Sequence, residues 1–342
     1  MHDPTHRLHQ PGRHSSVTPR ASATWLLRTM LFTALGCATA QSPSVSAPSS
    51  SVDSKQAVAG DASENTPQAG AKASGASGAT PSATKPAPGA TAPAAESAPS
   101  KPRLDQVFVA GGTFWMGCDP SRDSLCDADE RGREVDVKPF EIDRLEVSVG
   151  QYRACVDAGA CSARSVAVPY WNGGERPEAK KTCTYTRGEP DLPMSCVSFT
   201  DARKYCRWMG LDLPTEERWE KAARGTDRRL FPWGNEPIAK NANLADESFK
   251  AEFPSLAAER GVSDGYAAAA PVGRFEGDTS PYGMRDAAGN LQEWTRSEYD
   301  DGRRVTKGGS WQGRLKYARA SNRNGSAPDH RFGDLGFRCA SR

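Results

Sequence analysis

Residues 307–321 read KGGSWQGRLKYARAS, and they pose a choice between catalysis and binding. Gly308 and Gly309 can turn the chain, Ser310 offers a hydroxyl, and Trp311 and Tyr317 offer aromatic faces. Lys307, Arg314, Lys316 and Arg319 add positive charge. The stretch has no cysteine and no histidine, so it supplies neither a thiolate nucleophile nor an imidazole base. Beyond residue 14 the chain has one histidine, His330, in the polar loop PDHRFGD, where it reads as solvated. No Ser–His or Cys–His dyad is available except through His330 itself. Carboxylate pairs are numerous, but spacing places none in an acid–base geometry. The residues therefore read as a ligand groove floored by Ser310, Trp311, Gly313 and Tyr317, with Arg314 beside it to meet an anionic ligand or a peptide carboxylate.

The other chemistry-bearing side chains are thiols and acids. Apart from Cys37, eight cysteines remain: Cys118, Cys126, Cys155, Cys161, Cys183, Cys196, Cys206 and Cys339. An even count in an exported domain suggests disulfides and leaves their connectivity open. Short spacings favour local loops for Cys118–Cys126, Cys155–Cys161 and Cys183–Cys196. No C-x-x-C pair exists, which argues against a zinc ribbon. The loop CDPSRDSLCDADE carries Asp119, Asp123, Asp127, Asp129 and Glu130. Its spacing is not that of an EF-hand, and it reads as a solvated loop stapled by Cys118–Cys126.

These groups must be carried by a chain with uneven composition. It has 342 residues, a net charge of +2 and a pI near 8.0. Nearly matched acids and bases, with no basic stripe, exclude a nucleic-acid partner. No aromatic residue occurs from Thr33 to Val107. A segment rich in Ala, Ser, Pro, Gly and Thr buries too little apolar surface to fold, so 38–103 reads as a disordered linker. Before it, RASATWLLRTMLFTALGC has a basic flank and a short apolar run ending at Gly36 and Cys37. That layout reads as an export signal over 1–37. Cys37 resembles the lipid-bearing cysteine of a bacterial lipoprotein. The expectation is an exported protein of the cell envelope, periplasmic or at the outer membrane, touching the membrane through a lipid anchor only; plain secretion is the alternative.

Residues 104–342 read as one folded domain. DQVFVAGGTFWMGC alternates apolar residues into a Gly-Gly turn, which predicts a hairpin. Ser148 with Gln151 forms a capping box for a helix ending at Gly159. A second helix covers FTDARKYCRWMG, capped by Thr200 or Ser198. A third covers LPTEERWEKAARG, capped by Thr215, with Trp219, Ala222 and Ala223 on its buried face. After Gly225 regular periodicity fades, and Gly, Pro, Asn and Asp become frequent. So long an irregular segment usually needs disulfides or bound ions to order it.

Seven segments in order carry a resemblance: VAGGTFWMG, EVSVGQYRACV, PMSCVSFTDARKYCRWMGLDLPTEERWEKAARG, FPWGNE, YGMRDAAGNLQEWT, KGGSW and DLGFRC. Together they resemble the formylglycine-generating enzyme, or sulfatase-modifying factor, family across essentially all of 104–342. The resemblance implies an α+β, irregular, loop-rich fold of the C-type-lectin-like kind. It also implies a disulfide between Cys206 and Cys339. The family's best-known activity oxidises a sulfatase cysteine to formylglycine with copper(I) and dioxygen. Copper(I) is held by two cysteines just after the Gly-Gly-Ser-aromatic motif, because soft thiolates select it. Here those two positions fall on Gly313 and Ala318. Copper is therefore not expected, and neither is copper-dependent oxidation. A sulfoxide-forming branch uses iron held by histidines of a separate domain, which this chain lacks. Arg323 and Arg338 match arginines that are mostly structural in the family.

The resemblance further implies two calcium sites, and calcium takes about six to eight oxygen ligands in flexible geometry. One would use Asn243, the Leu244 carbonyl, Asp264 and the Tyr266 carbonyl. The other would use Asp286, the carbonyls of Gly289 and Leu291, and Glu293. Three functions follow as expectations. The first is a non-catalytic module binding a peptide, a protein or a small anionic ligand in the groove. The second is a sulfatase-modifying oxidoreductase with altered metal chemistry. The third is a docking subunit of an envelope complex that uses residues 160–191 as its contact surface.

Overall fold

A computed structural model describes residues 101–103, 105–300 and 302–342. The expected export segment with Cys37, and all but the last three residues of the expected linker, lie outside the described residues. Among the described residues no helix is long and apolar enough to cross a membrane.

Three helices start where their cap residues place them. The Ser148 side chain accepts from the Gln151 N–H, and the Gln151 side chain accepts from the Ser148 N–H, opening α1 (Val149–Asp157). Two otherwise orphaned N–H groups are thereby satisfied. Ser198 rather than Thr200 caps α2 (Phe199–Trp208), and Gly210 follows it with φ +90°. Thr215 caps α3 (Glu216–Arg224), whose first turn holds Glu216 and Glu217, where the helix dipole favours acids. Trp219, Ala222 and Ala223 are buried as their spacing predicts. Glu220, Lys221 and Arg224 are buried too, which the apolar pattern could not show. Glu220 takes ion pairs from Arg224 at 2.9 Å and Lys307 at 2.8 Å.

The expected N-terminal hairpin does not form. β1 (Gln106–Val109) pairs antiparallel with β4 (Phe140–Asp143), and β2 (Gly112–Met116) pairs with β3 (Arg133–Val137). The Gly-Gly step moves the chain from one two-stranded sheet to another instead of turning it back on itself. Gly111 is needed there because a Cβ would lie 2.7 Å from the Pro139 ring. A two-residue hairpin, β5 (Tyr170–Trp171) with β6 (Gly174–Glu175), sits inside the 160–191 insertion.

The largest sheet lies in the segment whose periodicity fades. It runs β10 (Leu335–Gly336), β7 (Gln292–Glu298), β8 (Arg304–Lys307), β9 (Arg323–Ser326), with β10 parallel to β7 and the other pairs antiparallel. A register shift interrupts β7 between Trp294 and Glu298. The pattern was hidden because Glu293, Thr295, Thr306 and Lys307 are polar yet fully buried. A short helix, α4 (Glu247–Glu252), is capped by Asp246. Four disulfides join Cys118–Cys126, Cys155–Cys161, Cys183–Cys196 and Cys206–Cys339. The last ties α2 to the C-terminal segment across 133 residues. Disulfides of this kind persist in oxidising compartments, as expected of an exported protein.

Arg338 binds the loops together. Its Nη2 donates to Glu293 Oε1 at 2.6 Å, and its Nε to Glu293 Oε2 at 2.8 Å. Nη1 donates to the carbonyls of Asp143 and Arg144, and Nη2 also to those of Arg285 and Asp286. Trp219 Nε1 donates to Glu293 Oε2 at 2.7 Å. Burial alone would lower the Arg338 pKa, but the Glu293 carboxylate outweighs it and holds the pKa above the ordinary arginine value. Removing one partner of such a pair strands a buried charge and four carbonyls. Arg338→Met is expected to cost about 3–5 kcal/mol in urea unfolding, and adding Glu293→Met to recover part of that loss. A cost of the single variant near zero would contradict this role.

Candidate functional site

Trp311 lines a groove, and Ser310, which is not itself in the lining, is hydrogen-bonded to the lining residue Asp334. The Ser310 hydroxyl donates to Asp334 Oδ2 at 2.7 Å, and Trp311 Nε1 donates to the Gly333 carbonyl at 3.3 Å. Beside them opens a cavity of about 370 Å3. One wall comes from the insertion through Trp171, Ala179 and Thr182, and the opposite wall from α4 and the turn after it through Phe249, Phe253 and Leu256. Phe332, Gly333 and Asp334 also line it. The insertion expected as a docking surface is thus a wall of the groove. Lys181 spans toward α4 in an ion pair with Glu252.

Gly313, Arg314 and Tyr317 are not among the lining residues. Arg314 is exposed at the start of a 3-10 turn, and Tyr317 is exposed with Lys316 over its ring. The anion-binding role expected for Arg314 therefore has no place in this groove, whose one charged lining residue is the acid Asp334. Burial raises the Asp334 pKa, and the Ser310 hydrogen bond opposes that rise. His330 is half-buried rather than solvated, its ring edge against Phe332 and its Nδ1 without a partner.

The two positions after the Gly-Gly-Ser turn hold no metal donor. Ala318 is fully buried in an apolar cluster with Phe231, Ala242, Leu244 and Ala288. Gly309 packs so tightly that a Cβ would lie 2.3 Å from the Ala288 carbonyl. Arg319, next to Ala318, is clamped by Asp123 and Glu130, each at 2.7 Å. The acidic loop is thus not merely solvated: Asp123 and Glu130 are buried and fix this segment. All eight cysteines of the described residues are in disulfides, so no thiol is left to ligate copper.

Residues 91–342 match the sulfatase-modifying factor enzyme 1-like domain. The chain belongs to this family. The inactive C-alpha-formylglycine-generating enzyme 2 of Bos taurus is 33% identical over 275 residues, covering 70% of this chain and 88% of that protein. The formylglycine-generating enzyme of Thermomonospora curvata is 30% identical over 300 residues, covering 71% of this chain and 95% of that one. The solved structure of PvdO from Pseudomonas aeruginosa superposes with a TM-score of 0.56 at 26% identity, covering 69% of this chain and 94% of that one. The loop-rich α+β architecture is that of the sulfatase-modifying factor family.

The residues expected at the two calcium sites of this family member adjoin one another. Asn243 Nδ2 donates to Asn290 Oδ1 at 3.0 Å, and the Asn290 N–H to the Asn243 carbonyl at 2.9 Å. Gly289 lies so near that a Cβ would sit 2.4 Å from that carbonyl. At the first site Asp264 accepts from the Leu244 and Tyr266 N–H groups, and Asn243 Oδ1 is a buried oxygen without a partner. Burial, opposed by these hydrogen bonds and reinforced by Asp246, pushes Asp264 up to about 6. An orphaned amide oxygen, in the residue before the one whose N–H meets Asp264, is a donor type that a hard cation takes.

The second site differs from its expectation. Both Glu293 oxygens are committed to Arg338 and Trp219, so Glu293 is not free to ligate. The Leu291 N–H donates to Glu146 Oε1 at 2.9 Å. Asp286 accepts from the Gly273 N–H, and Asp278 Oδ1 is buried without a partner. Burial and the Asp286 charge push Asp278 up to about 8, and burial pushes Asp286 up to about 6. Glu146 lies well above the usual carboxylate range through burial and then the Asp286 and Glu293 charges. Asp278 and Asp286 are therefore the acids able to hold a cation here. Asp278 lies outside the DAAGNLQEW motif, so the family pattern could not point to it.

These shifts carry a sign. A carboxyl whose folded pKa exceeds its unfolded value keeps a proton that the unfolded chain releases. Without metal, stability falls as pH rises from about 4 toward 8. A bound calcium ion would supply positive charge beside these carboxylates. Thermal unfolding in EDTA is expected to show that decline and in millimolar calcium to flatten it, with the larger calcium-dependent rise in Tm at pH 8. Equal melting temperatures with and without calcium at pH 8 would contradict both sites.

Proposed function

We propose that this protein is an exported, non-catalytic member of the sulfatase-modifying factor family whose aromatic groove binds a peptide or small ligand. The observation that carries the reading is chemical. Copper(I) selects soft thiolates, and here one thiol position is a glycine while the other is an alanine sealed in an apolar cluster. The disulfides consume all eight cysteines of the described residues. The groove lining contains no cysteine or histidine, so it offers a metal neither thiolate nor imidazole. The similarity to a relative named inactive supports the same reading. Lipid attachment at Cys37, placement in the bacterial envelope and two bound calcium ions complete the proposal.

The test is direct. The full chain, incubated with copper, a reductant, oxygen and a cysteine-containing sulfatase-motif peptide, is expected to leave the cysteine unchanged by mass spectrometry. Accumulation of the aldehyde over several turnovers would overturn the reading. Retention of the same peptide on immobilised protein, lost in Trp311→Ala, would mark binding without conversion.

A further inference from the structure

The groove has an unusual combination of walls and charge. Five aromatic side chains line it: Trp171, Phe249, Phe253, Trp311 and Phe332. Phe249, Phe253 and Trp311 form a mutual cluster, with ring centroids 4.9 Å, 5.9 Å and 6.0 Å apart. Trp171 and Phe332 form the other group, 5.4 Å apart. Trp311 and Phe249 are 1% exposed and act as backing, while Phe253, Trp171 and Phe332 are half-buried and border open space. Asp334 is the one ionisable side chain in the lining. Its Oδ2 is held by the Ser310 hydroxyl.

We propose that this groove selects a substituted ammonium group, seated on the aromatic faces with the Asp334 carboxylate as its counter-charge. The proposal deepens the ligand-binding reading of the groove and rests on it. Aromatic faces carry negative potential and attract a cation within about 6 Å of the ring centroid. The fold already uses these rings that way. Lys181 Nζ lies 5.4 Å from the Phe253 centroid, and the Arg176 guanidinium 5.3 Å from that of Trp171. Each already sits over one of these rings and neither is among the groove's lining residues, so a bound ammonium would use the ring surface that these side chains leave free.

Charge and desolvation choose among ligands. An anion would meet Asp334 with no basic side chain in the lining to offset it. A neutral apolar ligand would leave the carboxylate with the Ser310 hydroxyl but no counter-charge, which is costly. An alkylated ammonium is weakly hydrated, so it loses little on entering an apolar groove while compensating the acid. The cavity, at about 370 Å3, accommodates a choline-sized head group. The chemistry does not distinguish a free small cation from an N-methylated side chain on a peptide, and the experiment uses a probe of each kind.

Calorimetric titration of the full chain with choline and with 3,3-dimethylbutan-1-ol, its neutral carbon isostere, isolates the charge. Choline is expected to bind roughly tenfold or more tightly than the isostere. Asp334→Asn keeps an acceptor for Ser310 and is expected to shrink that ratio, and Phe253→Leu to shrink it as well. Equal affinity for the two probes would overturn the cation inference and leave the groove reading intact. No binding of either probe, with none of a trimethyllysine peptide, would overturn both. Tighter binding of the trimethyllysine peptide than of its unmethylated form would assign the ligand to a protein side chain.

Discussion

The buried pair between Arg338 and Glu293 is the constraint on which the rest of the structure depends. Regular elements satisfy their own backbone groups, but long loops do not, and a buried carbonyl without a donor is costly. Arg338 has five N–H donors in a fixed planar fork. It distributes them between a carboxylate on β7 and four carbonyls from two separate loops. Trp219 brings α3 to the same carboxylate. One side chain thus joins the C-terminal segment, the central sheet, a helix and two turns. The Cys206–Cys339 disulfide anchors the residue next to it.

A second clamp works in the same way on the other side of the central sheet's loops. Arg319 is gripped by Asp123 and Glu130 from a loop nearly 200 residues earlier, and Cys118–Cys126 staples that loop. Together the clamps fix the segment from Gly308 to Arg319. The groove takes its lining from that fixed segment through Trp311 and from the insertion and α4. Trp311 and Asp334 of the groove stand in the segments KGGSW and DLGFRC that carry the family resemblance, while Trp171, Phe249 and Phe253 lie outside all seven. Glu146, Asp278 and Asp286 form a neighbouring surplus of buried carboxylates against Arg338, and it is this surplus that the proposed calcium ions would offset.

Much of the local structure was legible. Ser148 with Gln151, Thr215, Gly210 and Gly225 marked helix ends because capping is a matter of a few neighbouring atoms. The strands were harder. The Gly-Gly step in VAGGTFWMG looks the same whether it closes a hairpin or passes between sheets, and only partners far along the chain decide. The central sheet escaped notice because Glu293, Thr306 and Lys307 are buried in ion pairs and hydrogen bonds, so no apolar alternation survives. At the groove, Ser310 and Trp311 were visible through the family motif. Asp334 stands in the family segment DLGFRC, but nothing there marks it as a groove residue; Trp171 and Phe253 lie outside the family segments, and nothing in their local sequence says that the fold brings them together. Arg314 and Tyr317 were drawn in by nearness in sequence, whereas the 3-10 turn beginning after Arg314 leaves both exposed.

The central proposal is that a glycine and a buried alanine stand where copper(I) would need two thiols, so the fold offers copper(I) no site. Competition for copper(I) against a chromophoric chelator, in ascorbate so that the disulfides stay intact, tests it most directly. All copper is predicted to remain with the chelator at every protein concentration. Withdrawal of one equivalent by the intact protein would contradict the account.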